Sequence, residues 1–276
     1  MRVFLWIVLV VCIIAAGIFG YLLFSELIVD MRSQSFFNSM LSGVEFRPRA
    51  AAQDGSDGGG DGGGTGAASS EPGEWMPFVD FEALNEQYPG VVGWIVLDGT
   101  PINYPIMHHS NNNFFLNHLP DRTPNRSGSI YLDYRNESDF SDKIILIFGH
   151  HFSQSDSMFS SLRNYRNQEF FNANPIIRMY SPYADYEIEL FAAIPAHASR
   201  DHPPLDFADE DEFLNYVRHI RGRSFVRSEM EIDADDRIVG LVTCQRDLGY
   251  GADGRLIIFG RLVRVAGIDI DGIGAP

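Results

Sequence analysis

The sequence predicts a mainly β domain, an eight-stranded closed or nearly closed barrel with peripheral helices, preceded by an N-terminal transmembrane helix. Three observations carry that expectation. Eight short runs of β-forming residues follow one another between residues 91 and 265, each bounded by turn signals. Four stretches with helical periodicity interrupt them without repeating as a unit. Ahead of them stand an uncharged apolar run and a tract rich in Gly, Asp, Ser and Ala, neither of which reads as part of a soluble core.

The N-terminal run covers residues 3–24 and contains no charge. As a helix it would be roughly 33 Å long, close to the thickness of a hydrocarbon core. A signal peptide has a shorter apolar region, and here the run continues well past the small residues Ala15, Ala16 and Gly17. An uncleaved anchor is therefore expected over residues 1–24. Arg2 places its N-terminus inside and the rest of the chain on the extracellular face of the cell membrane. Residues 25–49 show some helical periodicity and read as a juxtamembrane stalk. Residues 50–74 carry no large apolar residue until the globular part begins, so they read as a flexible linker.

The domain is expected from residue 75 to 266, followed by a short tail over residues 267–276. Strands are predicted at 91–97, 102–107, 129–133, 143–150, 176–181, 186–196, 237–244 and 255–265. Asp98-Gly99 between the first two is a hairpin signal. Helices are predicted at 78–87, 157–165, 168–173 and 209–221. The last starts with acids and ends with Arg218, His219 and Arg221, as the helix dipole favours.

Composition removes several functions. Hydrophobic residues make up 45% of the 276 and aromatics 13%, enough for a sizeable core. The formal net charge of −16 argues against a nucleic-acid partner, which needs clustered Lys and Arg. The chain lacks a C-x-x-C pair, an H-E-x-x-H, a P-loop and a dinucleotide fingerprint, so neither a metal nor a cofactor is expected.

Cys244 is the most informative residue. Cys12 lies in the apolar run, so a domain outside the cell carries one thiol and no disulfide partner. Cys244 ends the apolar run Ile238-Val-Gly-Leu-Val-Thr-Cys, and His150 and His151 end another. Adjacent histidines on a strand face opposite sides, so one can serve the site while the other is structural. A thiol nucleophile needs a base, and acyl transfer needs a fixed donor for the developing oxyanion. Arg255, opening the last long strand, and Arg246, nearer in sequence, both qualify as that donor. His108 and His109 sit in a polar loop and read as solvated.

These residues lie in familiar surroundings. Val92-Gly-Trp-Ile-Val-Leu-Asp-Gly-Thr-Pro-Ile-Asn-Tyr-Pro-Ile106 is followed by Gly128-Ser-Ile-Tyr-Leu-Asp-Tyr-Arg-Asn136, Phe148-Gly-His-His151, Ser157-Met-Phe-Ser-Ser-Leu-Arg-Asn-Tyr165, Leu241-Val-Thr-Cys244 and Arg255-Leu-Ile-Ile258. Over most of 78–265 the chain resembles the class B sortases, membrane-anchored cysteine transpeptidases of mainly Gram-positive bacteria. The resemblance implies a sortase-type barrel and a catalytic set of His150, Cys244 and Arg255, which demotes His151 and Arg246. It also implies a substrate groove with Asn112, in the loop before Phe114, together with Leu116, Thr243 and Gln245. The residue before Thr243 is often Ser in this class and is Val242 here.

What the resemblance implies for chemistry is a secreted substrate with a C-terminal sorting signal. Cys244 attacks the signal's threonine carbonyl, and Arg255 with the Gln245 backbone N–H holds the oxyanion. His150 protonates the leaving amine, and an amine of a cell-wall precursor or a pilin lysine resolves the thioester. A cysteine hydrolase, or a silent surface-binding module, is the alternative the residues leave open.

Overall fold

In the computed structural model, the described residues are 2–41, 45–48 and 75–267. The expected linker at 50–74 and nearly all of the expected tail lie outside them. The chain opens with α1 (Arg2–Leu41), then β1 (Glu45–Pro48) and β2 (Trp75–Phe78), which pair antiparallel as a small ribbon. Next come α2 (Phe81–Gln87), β3 (Val91–Val96), β4 (Asn103–Met107), α3 (Asn112–Leu116), β5 (Ile130–Leu132) and β6 (Ile144–Gly149). A 3-10 helix (Ser160–Arg166) and α4 (Gln168–Ala173) lead to β7 (Ile176–Tyr180) and β8 (Ala184–His197). Then α5 (Glu210–Arg223), β9 (Ile238–Cys244), two short 3-10 turns and β10 (Gly254–Gly267) complete the chain.

Strands β3 to β10 close into one barrel in the order β10-β8-β7-β3-β4-β5-β6-β9. The pairs β4·β5 and β6·β9 are parallel and the remaining neighbours antiparallel. Successive side chains of each strand face opposite sides of the barrel wall. Ile145 and Ile147 of β6, Val239 and Leu241 of β9, and Leu256 and Ile258 of β10 fill the barrel interior. Their neighbours Ile144, Leu146, Ile238, Val242, Ile257 and Phe259 point outward, where Phe213, Val217 and Ile220 of α5 cover them. That second apolar face is why β6, β9 and β10 read as near-continuous hydrophobic runs.

Caps set the helix starts. The Asp80 carboxylate accepts from the Ala83 N–H at 3.0 Å, so α2 begins at Phe81 and not at residue 78. Asp209 accepts from the Glu212 N–H at 2.8 Å and starts α5 as expected. The helix expected at 157–165 is displaced to Ser160–Arg166, because Met158 takes a left-handed φ of 52° and breaks the first turn.

The apolar run and residues 25–41 of the expected stalk form one helix, α1, whereas residues 45–48 of that stalk form β1. Near its C-terminal end Ser33, Phe37 and Met40 are buried, and the Phe37 ring stands edge-on to Tyr104 at 5.0 Å. Toward the N-terminus Phe4, Trp6, Ile7 and Tyr21 are exposed. Side chains at 22–30 lie outside the described residues. Among the described residues no helix is long and apolar enough to cross a membrane, so the expected anchor is not established here.

Candidate active site

Strand register assembles the site. In the parallel pair β6·β9 the last partners are Gly149 and Thr243, so His150 and Cys244 follow side by side. Across β9·β10, Cys244 is paired directly with Arg255. Parity gives all three the same direction. His150 lies two residues beyond outward-facing Phe148, Cys244 two beyond Val242, and Arg255 two before Ile257. Three adjacent strand ends thus aim an imidazole, a thiol and a guanidinium from the outer barrel face, just past the strip that α5 covers.

These groups open into a cleft of about 390 Å³, which Asn112, Leu116, Thr243, Cys244, His150 and Arg255 help to line. Its floor is the preceding outward row, Tyr131, Phe148, Val242 and Ile257, matched in register across β5, β6, β9 and β10. The far wall is His197, Ala198, Asp201, His202 and Pro203, from the connection after β8. Arg223 holds that wall through Asp201, with bonds of 3.0 and 3.1 Å, and Asp201 also accepts from the His197 N–H at 2.7 Å. The Arg223 guanidinium keeps the Asp201 carboxyl below the usual carboxylate range.

His150 is positioned through its ring. Its Nε2 lies 2.7 Å from the Leu116 carbonyl oxygen. A carbonyl only accepts, so the proton is on Nε2 and Nδ1 is left as the basic nitrogen. Burial holds the imidazole below its ordinary value, the Leu116 carbonyl opposes that, and Arg126 and Arg255 add to the depression. At neutral pH the ring is neutral and ready to take a proton. Gly149 lets the strand end pack: a Cβ there would stand 2.5 Å from Ile130 and 2.7 Å from Phe159.

Arg255 is tethered by one nitrogen. Its Nη1 donates to the Ala252 and Gly254 carbonyls at 3.0 and 2.9 Å, leaving Nε and Nη2 with no partner among the described residues. The planar fork can thus present two N–H donors to an oxyanion. Gln245 does not join it as expected: its backbone N–H donates to the Gly254 carbonyl at 2.9 Å, continuing the β9·β10 ladder. Its side chain is buried on the opposite face, where Nε2 donates to Asp247, itself bonded to Arg166 at 2.6 Å. Gln245 lies outside the cleft lining, whereas Asn112, Leu116 and Thr243 belong to it.

Thr243 serves the framework. Its hydroxyl is buried and donates to the Gly149 carbonyl at 2.8 Å, locking the two strand ends that carry His150 and Cys244. Asn112 sits at the start of a helix and not in a loop, and its Oδ1 accepts from the Tyr134 N–H at 2.9 Å. His109 and His118 stack on the two sides of Phe114 at 4.3 Å, so His109 packs α3 and is not simply solvated. His108 is half-buried and its Nε2 has no partner among the described residues. The His197–Pro203 wall had no signal in the sequence, because its place depends on how the chain returns from β8.

No family model matches the chain. It is 33% identical over 184 residues to Sortase B of Listeria monocytogenes, covering 67% of this chain and 73% of that protein. It is 28% identical over 186 residues to Sortase B of Staphylococcus aureus, covering 67% and 75%. Among solved structures, the S. aureus sortase B–substrate complex superposes with a TM-score of 0.63 at 28% identity, covering 67% of this chain and 85% of that one. A Bacillus anthracis sortase B structure superposes at 0.61 with 29% identity, covering 67% and 84%. With the closed barrel and the aligned thiol, imidazole and guanidinium, these similarities lead to one conclusion: the chain belongs to the class B sortases and is a sortase-type cysteine transpeptidase.

Proposed function

We propose that the enzyme cleaves a C-terminal sorting signal on secreted proteins and transfers the new acyl end to an amine through a thioester on Cys244. The observation that supports this reading is the register Gly149–Thr243 and Cys244–Arg255, in which the imidazole of His150, the thiol of Cys244 and the guanidinium of Arg255 follow in one row. The Cys244 proton passes to His150 Nδ1 as sulfur attacks the threonine carbonyl of the signal. Negative charge on the carbonyl oxygen is met by Nε–H and Nη2–H of Arg255. The tetrahedral intermediate collapses, His150 returns the proton to the leaving amine, and the thioester remains. An incoming amine, from a cell-wall cross-bridge or a pilin lysine, gives its proton to His150 and attacks the thioester. Collapse expels the Cys244 thiolate, which regains its proton.

The same reading puts the catalytic domain on the extracellular face of the cell membrane, anchored through residues 3–24. The exposed apolar side chains Phe4, Trp6, Ile7 and Tyr21 on α1 support it, since water is a poor environment for such a stripe. An anchored enzyme meets substrates held at the same surface at raised effective concentration.

The test is ligation. The full chain in detergent is mixed with a library of sorting-signal peptides and triglycine, and products are read by mass spectrometry. A peptide joined to the amine is expected from the parent and none from Cys244→Ala. Arg255→Lys should lose at least ~10²-fold in rate, the effect of removing one oxyanion donor. Cleavage to water alone, with no joined product from any amine, would favour the hydrolase. Full activity in either variant would remove that residue from the mechanism.

A further inference from the structure

The carbonyl that holds His150 is itself held by a backbone clamp. α3 ends at Leu116, so the carbonyls around its C-terminus need partners from outside the helix. The segment ahead of β5 supplies them on either side of Leu116. The Phe115 carbonyl accepts from the Ser129 N–H at 2.8 Å, the Asn117 carbonyl from the Asn125 N–H at 2.9 Å, and the His118 carbonyl from the Ser129 hydroxyl at 2.8 Å. The Leu116 carbonyl is left for the imidazole, 2.7 Å from His150 Nε2. Gly128 lies against that carbonyl. Its φ is 57°, and its N–H donates to the Asn125 carbonyl at 3.0 Å. A Cβ there would stand 2.4 Å from the Leu116 oxygen, 2.8 Å from the Leu116 carbonyl carbon and 2.7 Å from the Phe115 oxygen, all of them backbone atoms.

We infer that Gly128 is a positioning residue for the transfer reaction: by admitting the backbone this close, it sets the Leu116 carbonyl where it keeps the His150 proton on Nε2 and leaves Nδ1 free as the base. The inference rests on His150 being the base of the proposed mechanism. A neutral imidazole carries one ring proton, and the hydrogen bond made by one nitrogen decides which of the two holds it. With the carbonyl displaced, this contact no longer selects Nε2. A ring protonated on Nδ1 has no lone pair there to take the thiol proton. The same carbonyl serves the ring again once it is charged, because an imidazolium still donates from Nε2. Glycine meets both demands of the position, the left-handed φ and the close approach. Gly128 lies outside the cleft lining, so it acts through Leu116 and not on the substrate.

The test reads the ring directly. The full chain in detergent carries isotope-labelled histidine, and the His150 ring nitrogens are identified in the NMR spectrum by their loss in His150→Gln. At neutral pH the parent should show a protonated Nε2 and an unprotonated Nδ1. In Gly128→Ala the two nitrogens should share the proton, and acylation of Cys244 by an accepted peptide should slow by about 10²-fold, as for a misplacement of roughly 1 Å. Ser129→Ala gives up only the bond to the His118 carbonyl and should show the same change on a smaller scale, about fivefold in rate. Asn136→Ala weakens the start of β6, away from the clamp, and should keep the parent ring state; an equal shift there would overturn the inference, since general loosening would explain it. A parent with its proton on Nδ1, or parent-like ring signals and acylation in Gly128→Ala, would also overturn it. Should Gly128→Ala fail to fold, Ser129→Ala decides: shifted signals support the inference, and parent-like signals and rate overturn it. A His150→Gln variant that acylates at the parent rate would instead remove His150 as the base, and the inference with it.

Discussion

Gly254 lies beside the Cys244–Arg255 pair, the nucleophile and oxyanion donor of the proposed mechanism, and replacing it with alanine is a sharp probe of the geometry. Its φ of −66° and ψ of 133° suit any residue, so conformational freedom is not why glycine is there. Close approach is the reason. A Cβ would stand 2.2 Å from the Gln245 carbonyl oxygen and 3.3 Å from that of Gly251, both backbone atoms that cannot rotate away. Relief requires the end of β9 and the start of β10 to part by roughly 1 Å, given ordinary contact distances. That shift loosens the Gln245 N–H to Gly254 bond of 2.9 Å, worth about 1 kcal/mol, and adds overpacking strain of about 1–3 kcal/mol. Gly254→Ala should therefore lower stability by about 2–4 kcal/mol. At ~2–4 °C per kcal/mol for a domain of this size, the melting point falls by roughly 5–15 °C. Cys244 and Arg255 are the next pair along the ladder, so ligation should drop by about 10²-fold, the usual cost of a 1 Å misplacement. Gly222→Ala, exposed in α5 with nothing within 4 Å of the added carbon, is the control and should be neutral or stabilising by up to ~1 kcal/mol. Thermal unfolding and the peptide–triglycine assay read both effects. Parent-like melting and ligation in Gly254→Ala would refute the claim that backbone approach here sets the site.

Two further outcomes follow from buried polar groups. Asn136→Ala removes a side chain that donates to the Ile144 carbonyl at 2.7 Å and accepts from the Leu146 N–H at 2.9 Å; leaving both backbone groups unpaired should cost about 2–4 kcal/mol in urea unfolding, and a cost under ~0.5 kcal/mol would contradict it. His108, His150 and His151 are each held below the ordinary histidine value, chiefly by burial. Below about pH 6.5 the unfolded chain therefore binds protons that the folded state refuses, so stability should fall as pH drops from about 6.5 toward 5 and should gain nothing from these groups above it. A melting point that is flat or rises over that acid window would contradict the assignment.

The strands were legible because their signal is local. Ile144–Gly149 and Ile238–Cys244, buried on both faces, read as continuous apolar β-forming runs, and Asp98-Gly99 marks its hairpin. That His150, Cys244 and Arg255 come together was legible because each closes or opens such a strand. What escaped was set by neighbours distant in sequence. α3 is five residues long and depends on Asn111, whose Oδ1 accepts from the Asn113 and Phe114 N–H groups at 3.1 and 3.0 Å. The fate of the Gln245 N–H depended on β10 register, since Gly254 lies nine positions away and faces it only once the two strands pair. The wall at His197–Pro203 is fixed by Arg223, twenty residues on, and no spacing in the chain announces that contact.

The most direct measurement is a pulse and chase of the acyl-enzyme. The full chain is given an accepted sorting-signal peptide without any amine and its intact mass is recorded, then triglycine is added. The mechanism predicts a thioester adduct that maps to Cys244, is sensitive to hydroxylamine, and disappears on the chase as peptide–triglycine product forms at the same rate. Product formation with no adduct on Cys244, or an adduct on that residue that the amine cannot discharge, would contradict it.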